Sequence, residues 1–134
     1  MASGLSDSVK AFLEKPNVAV LATQSRSGRV QATPVWFMRR GGEILINTSA
    51  GRTKLRNMED NPRVALAIVD RENPYRYVQI QGTVVEFDRE NAPKDIDRLS
   101  QRYLGEPYVY SANDAPRKRV SIHITPQRIH TSGL

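Results

Sequence analysis

Two basic residues that follow a polar turn, Arg52 and Lys54, form the clearest candidate binding site in this sequence. The turn offers the hydroxyls of Thr48 and Ser49, and the basic pair lies at the start of a predicted helix, Thr53–Asp60. Exposed cations at the positive end of a helix cost about 0.3–1 kcal/mol each. A phosphate would reverse that penalty, because helix N–H groups, hydroxyls and cations all donate hydrogen bonds to it. The pattern indicates an anion site, although a solvated basic helix explains it equally well.

A proline interrupts the strand predicted for residues 29–38. Pro34 has no backbone N–H to donate to a neighbouring strand, so its strand is expected at a sheet edge, at a bulge or beside a ligand. Taken alone, an ordinary edge strand is the simplest explanation of this segment.

A second unusual strand pattern covers residues 75–81 and alternates cleanly. Tyr75, Tyr77, Gln79 and Gln81 share one face, because successive side chains in a strand point to opposite sides. A face of tyrosine and glutamine suits a wet interface or a cofactor wall. A solvated face with amphipathic tyrosines is the competing interpretation.

The usual catalytic groups are missing from the sequence. Cysteine is absent, which excludes thiolate nucleophiles and thiolate metal sites. His123 and His130 are isolated and no carboxylate pair has metal-ligand spacing, so we predict no metal site and leave the catalytic residues unassigned. No Gly-x-Ser-x-Gly or Gly-x-Gly-x-x-Gly motif occurs. If the protein is an enzyme, its reactive group is therefore expected to come from a cofactor.

Periodicity predicts a mainly β fold: about six strands joined by tight turns, which indicates an antiparallel barrel flanked by helices. One domain is expected over residues 1–134. An N-terminal helix should begin after Ser6, and another should run from a cap at Asn91 to Gly105. The last strand is predicted to end at Pro126.

The amino-acid composition limits the classes of partner that the protein is expected to bind. A net charge of +6 favours anionic ligands, nucleic acid or an anionic membrane surface. No apolar run is long enough to span a bilayer and no secretion signal is visible, so we expect a cytoplasmic protein without a membrane span. A small basic barrel that binds nucleic acid through its arginine clusters is one candidate. However, aromatic and basic residues do not interleave as a stacking platform requires, so we predict no nucleic-acid partner.

Several segments together resemble the pyridoxamine 5′-phosphate oxidase-like family of FMN-binding split barrels. They are Val-Leu-Ala-Thr at residues 20–23, the proline-containing strand at 28–37, Gly-Arg-Thr-Lys-Leu-Arg-Asn at 51–57, and Asn-Pro-Arg-Val at 61–64. Within that family the order and spacing are most similar to the branch of deazaflavin (coenzyme F420)-dependent oxidoreductases, which residues 75–82 also match.

The resemblance implies a six-stranded split β-barrel that works as a homodimer, with two cofactors at the subunit interface. Arg52 and Lys54 match positions that hold the cofactor phosphate, helped by Thr48, Ser49 and Asn57. A second group matches the strand beside the cofactor ring: Gln31, Thr33, Pro34, Val35 and Trp36. A third group matches positions offered by the second subunit: Tyr75, Arg76 and Tyr77.

The implied activity is transfer of a hydride between coenzyme F420 and an unsaturated or conjugated small-molecule substrate. Pyridoxamine phosphate oxidase itself is longer and has a C-terminal substrate-binding tail that this chain lacks, which argues against vitamin B6 oxidation. Two alternatives stay open on the same fold. One is an FMN-dependent oxidoreductase, and the other is a protein that binds flavin, haem or another anion without catalysis.

Overall fold

Seven strands and three helices make up the fold, in a computed structural model that describes residues 4–134. The domain predicted over residues 1–134 includes residues 1–3, which lie outside the described residues. The strands are β1 (Ala19–Gln24), β2 (Val30–Val35), β3 (Met38–Arg40), β4 (Glu43–Ser49), β5 (Arg63–Val69), β6 (Tyr77–Asp88) and β7 (Arg119–Ser132). The helices are α1 (Asp7–Leu13), α2 (Thr53–Asp60) and α3 (Ala92–Leu104), and a 3₁₀ turn spans Pro116–Lys118.

The strands form one antiparallel sheet in the order β2-β1-β5-β6-β7-β4-β3. This confirms the predicted split barrel but corrects the strand count from six to seven. The single strand predicted for residues 29–38 breaks at Trp36 and Phe37. At the break, the Phe37 N–H donates to the Tyr103 hydroxyl at 3.1 Å, and the Phe37 carbonyl accepts from Arg102 Nε at 2.9 Å. Side chains of α3 thus replace strand partners at this point.

The longest strands, β6 and β7, pair along most of their length. The prediction for Pro126, which lies in β7, was wrong. Pro126 does not end the last strand, which continues to Ser132. Pro126 lies opposite Gly82, where the register shifts, and this irregularity accommodates a residue with no N–H. Gly82 itself is required there, because a Cβ atom would lie 2.7 Å from the Thr125 carbonyl oxygen.

The helix ends follow the predicted caps with one exception. The Ser6 hydroxyl accepts from the Val9 N–H at 3.2 Å and begins α1. Gly105 ends α3 in the left-handed conformation, with a φ of 75°. Asn91 precedes α3 as predicted, but its side chain does not cap the helix. It donates to Asp88 Oδ2 at 2.9 Å instead, which ties the helix start to the end of β6.

Two apolar clusters hold the fold together. The larger one fills the barrel and contains the fully buried Phe12, Phe37, Leu66 and Ile80. The smaller one joins the inner face of α3 to β4 through Leu45, Ile96 and Leu99. Within residues 4–134, no helix has both the length and the hydropathy that a membrane crossing requires.

Candidate functional site

A cleft of about 340 Å³ lies where the end of β2, the end of β4, the start of α2 and one face of α3 meet. This volume falls in the range of small-molecule sites. The cleft brings together seven residues that the sequence predicted for cofactor binding: Pro34, Val35, Trp36, Thr48, Ser49, Arg52 and Lys54. Residues 34–36 and residues 48–54 are distant in sequence and meet only in the folded barrel.

The basic pair enters the cleft without counter-ions. Arg52 occupies the N-cap position of α2 and makes no side-chain capping bond, so first-turn N–H groups stay available for a ligand. Among the described residues, neither Arg52 nor Lys54 forms an ion pair with a carboxylate. Burial lowers the pKa of Lys54 below its ordinary value, and the nearby charges of Arg52 and Arg119 lower it further. The cleft therefore holds excess positive charge that an anion would neutralise.

Arg119 is a third cleft cation, and sequence reasoning did not place it there. Its Nη1 lies 3.0 Å from Asp114 Oδ2, and its Nε donates to Asn47 Oδ1 at 2.8 Å. The Tyr108 ring lies under its guanidinium, 5.2 Å from ring centroid to Cζ. Since Asp114 balances Arg119, the unbalanced charge belongs to Arg52 and Lys54. The only signal in the sequence was the basic run at residues 117–119, which alone does not reveal that Arg119 pairs with Ser49 across the sheet.

The opposite wall of the cleft is flat and largely apolar. Trp36 stacks on Tyr103 with ring centroids 5.3 Å apart and planes 8° from parallel. The Tyr103 hydroxyl donates to the Asn17 carbonyl at 2.7 Å, and burial raises the pKa of Tyr103, so this group is held as a neutral donor. Val18, Ile96 and Leu99 extend the apolar lining. An anion site beside an apolar wall suits a planar, phosphorylated ligand.

Six predicted cofactor residues lie outside this cleft, and three of them, Gln31, Thr33 and Asn57, were expected to act within the same protomer. Asn57 is buried and donates to Thr23 Oγ1 at 3.0 Å, which ties α2 to β1. Gln31 lies with Asn57 in a separate depression beside α2. The Thr33 hydroxyl is buried and has no hydrogen-bond partner among residues 4–134. Contact of these three residues with a cofactor stays a prediction.

The segment predicted to serve a second subunit lies away from the cleft of its own protomer. Tyr75 is 81% exposed. Arg76 Nη1 donates to the Gly133 carbonyl at 3.2 Å, and its Nε lies 3.5 Å from Asp70 Oδ2. The Tyr77 ring centroid lies 6.1 Å from that of His130. None of these residues lines the cleft, so any role there requires another protomer.

Several solved structures share both fold and sequence similarity with this chain, among them the following two. An F420 reductase is 30% identical, with a TM-score of 0.81 over 90% of this chain and 94% of its own. A conserved hypothetical protein from Mycobacterium tuberculosis is 25% identical, with a TM-score of 0.73 over 98% of this chain and 86% of its own.

The fold alone is shared more widely, and a heme storage protein from Vibrio cholerae illustrates this. It is 18% identical, with a TM-score of 0.68 over 97% of this chain and 96% of its own. No curated protein matches the sequence significantly. The model of the pyridoxamine 5′-phosphate oxidase family matches residues 5–133, nearly the whole chain. The chain therefore belongs to the pyridoxamine 5′-phosphate oxidase family.

Proposed function

We propose that this protein is an oxidoreductase that binds coenzyme F420 in the cleft and acts on an unsaturated or conjugated small molecule. The observation that carries the proposal is the unpaired Arg52 and Lys54 beside the apolar wall of Trp36. The 30% identity to an F420 reductase supports a deazaflavin over other flavin-type cofactors.

The residues at the start of α2 fit the phosphate of such a coenzyme. Arg52 and Lys54 would supply charge-assisted hydrogen bonds, each worth about 1.5–3 kcal/mol. The hydroxyls of Thr48 and Ser49 and the first N–H groups of α2 would complete the set of donors. Burial, and then repulsion by Arg52 and Arg119, lowers the pKa of Lys54 in the free protein, and phosphate binding would offset that repulsion.

The apolar wall would orient the coenzyme ring. Pro34, Val35 and Trp36 line one side of the cleft, and Trp36 is held in place by its stacking on Tyr103. When bound, the reduced coenzyme supplies a hydride. Among the described residues, no carboxyl or imidazole group lines the cleft, so the accompanying proton would come from solvent or from another group at the cleft that carries a proton, such as Lys54.

Titration with coenzyme F420 and, separately, with FMN tests the proposal. Trp36 is the only tryptophan, so quenching of its fluorescence reports binding at this cleft. The Arg52→Ala/Lys54→Ala variant should bind coenzyme F420 at least about 100-fold more weakly, because two charge-assisted hydrogen bonds of about 1.5–3 kcal/mol each are lost.

The matched control is the Arg71→Ala/Lys94→Ala variant, which removes the same charge from an exposed arginine and an exposed lysine that do not line the cleft. It should bind the coenzyme within about threefold of wild type, since distant surface charges are screened. An equal loss of coenzyme affinity in both double variants, or no loss in the Arg52→Ala/Lys54→Ala variant, would refute the assigned phosphate site. Tight binding of FMN with no binding of coenzyme F420 would refute the choice of cofactor.

A further inference from the structure

His123 lies in β7, outside the cleft, and carries a buried atom with no partner. The residue is 8% exposed. Its Nδ1 lies 3.2 Å from Glu43 Oε1, whereas its Nε2 is buried and has no hydrogen-bond partner among the described residues. Buried polar atoms without partners are rare in proteins, so the vacant Nε2 requires an explanation.

Two carboxylates from the neighbouring strand stand beside this histidine. Glu86 lies directly opposite His123 in the β6–β7 register, and Asp88 follows two residues later on the same strand face. One ligand atom from each of Glu86, Asp88 and His123 lies within 4.8 Å of the other two. Sequence reasoning predicted no metal site, because it could not know that strand pairing brings these residues together.

The two carboxylates differ in how firmly they are held. Asp88 accepts from the Asn91 N–H at 3.0 Å and from Asn91 Nδ2 at 2.9 Å, so its position at the start of α3 is fixed. The Glu86 side chain is exposed and forms no hydrogen bond or ion pair with the other described residues. One fixed and one adjustable carboxylate suit a site that closes around a small ion.

We propose that Glu86, Asp88 and His123 bind a divalent transition-metal ion, with Zn²⁺ as the best match. A site of one imidazole and two carboxylates neutralises a double positive charge, and imidazole favours Zn²⁺ over Mg²⁺. Metal–ligand bonds of about 2.0–2.2 Å in a tetrahedral site place the ligand atoms about 3.4 Å from each other. The three ligand atoms lie within 4.8 Å of one another, and movement of the exposed Glu86 side chain would draw them closer around an ion.

Glu43 would act as a positioning residue for this site. A histidine that binds a metal through one nitrogen commonly donates its other N–H to a carboxylate, which fixes the ring and its tautomer. The contact between His123 Nδ1 and Glu43 Oε1 has this arrangement and leaves Nε2 as the ligand atom. The ion would join β6 and β7 next to the start of α3 and is therefore expected to stabilise the fold.

Calorimetric titration of the untagged, chelator-treated full chain with Zn²⁺ tests the site. We expect one ion per chain with micromolar or tighter affinity, and no measurable binding of Mg²⁺ at the same concentration. Glu86→Gln and His123→Gln should each weaken Zn²⁺ binding at least tenfold. Glu43→Gln should weaken it about tenfold, as the loss of an outer partner typically does.

His130→Gln and Glu106→Gln are the matched controls, because each makes the same chemical change outside the proposed site. Both should bind Zn²⁺ within twofold of wild type. Glu86 is exposed, so the Glu86→Gln variant should fold even if the change at buried His123 disrupts the barrel. Equal binding by wild type and Glu86→Gln, or no Zn²⁺ binding by wild type at 100 μM (about a hundredfold above the expected dissociation constant), would overturn the proposal.

Nitrogen NMR of the two histidines gives an independent readout. Zn²⁺ should shift the Nε2 resonance of His123 and leave both ring nitrogens of His130 unchanged. A shift confined to His130 would show that the ion binds elsewhere and would overturn the assignment. The result does not depend on coenzyme binding, because none of the three ligands lines the cleft.

Discussion

At the scale of single residues, the positive charge of Lys54 is expected to lower the stability of the ligand-free protein. The residue is partly buried, it stands in the first turn of a helix, and it has Arg52 and Arg119 nearby. A lysine whose pKa is lower in the folded than in the unfolded state destabilises the fold where both states are protonated. That penalty fades as the pH rises through the folded-state pKa. Residues that oppose stability in this way are often retained for binding.

Replacing Lys54 with methionine should therefore stabilise the ligand-free protein while weakening coenzyme binding. At pH 7 the melting temperature should rise by about 1–4 °C, since a misplaced helix-end charge costs about 0.3–1 kcal/mol. The gain should shrink at pH 10, where the folded wild type can release the proton. Calorimetry at the two pH values measures both effects.

Lys10→Met is the control, because Lys10 lies in the last turn of α1, where a positive charge is favourable. Its melting temperature should stay the same or fall. A lower melting temperature for Lys54→Met than for wild type would contradict the argument.

The candidate site was predictable where it depends on local sequence. Thr48, Ser49, Arg52 and Lys54 follow one strand–turn–helix segment, so the pattern alone placed them together. Arg119 could not be placed, because its position depends on the register between β4 and β7. The same limit applied to Tyr108, which reaches the cleft only through tertiary packing.

At the scale of elements, Arg102 joins three parts of the fold. Its guanidinium donates to the carbonyls of Leu13, Glu14 and Lys15, at the end of α1 and just beyond it, at 2.8–2.9 Å. Its Nε donates to the Phe37 carbonyl, between the two edge strands. One side chain of α3 therefore satisfies backbone groups of both α1 and the strand break.

Arg102→Lys should lower the free energy of unfolding by about 2–4 kcal/mol, because an ammonium cannot reproduce four donors in a planar arrangement. Denaturant unfolding followed by circular dichroism measures this change. Arg98→Lys, one turn earlier in α3 and exposed, is the control and should change the free energy by less than about 0.5 kcal/mol. Equal effects of the two substitutions would show that the carbonyl contacts contribute little.

Most elements were predictable from periodicity, and the errors share one cause. The bounds of α2 and β5 match the predicted segments, since their patterns are strong and their ends carry turn residues. The break at Trp36 and the passage of β7 through Pro126 were missed. Both depend on partners elsewhere in the chain, namely Tyr103 and Arg102 in one case and Gly82 in the other.

At the scale of the whole molecule, the cleft is expected to be completed by a second copy of the chain. Residues 75–77 lie outside the cleft of their own protomer, and Tyr75 is the most exposed aromatic side chain of the described residues. The proposed homodimer would bring these residues of one protomer to the cleft of its partner.

Light scattering should give twice the 15.1 kDa mass of one chain. Tyr75→Ala should weaken coenzyme binding about tenfold without lowering the melting temperature of the fold, since an interface aromatic commonly contributes more than 1 kcal/mol. Val109→Ala, which truncates another exposed side chain outside the cleft, is the control and should leave binding unchanged. A monomer that binds coenzyme with full affinity would contradict the dimer.

The two edges of the sheet restrict how copies of this chain can associate. Edge strands tend to recruit foreign strands through their free N–H and C=O groups, which leads to aggregation. Here Pro34 removes one donor from β2, and β3 is only three residues long and carries Arg39 and Arg40. Both edges therefore discourage open-ended growth of the sheet from chain to chain. Self-association is left to the broad faces of the barrel, where it can stop at a closed pair.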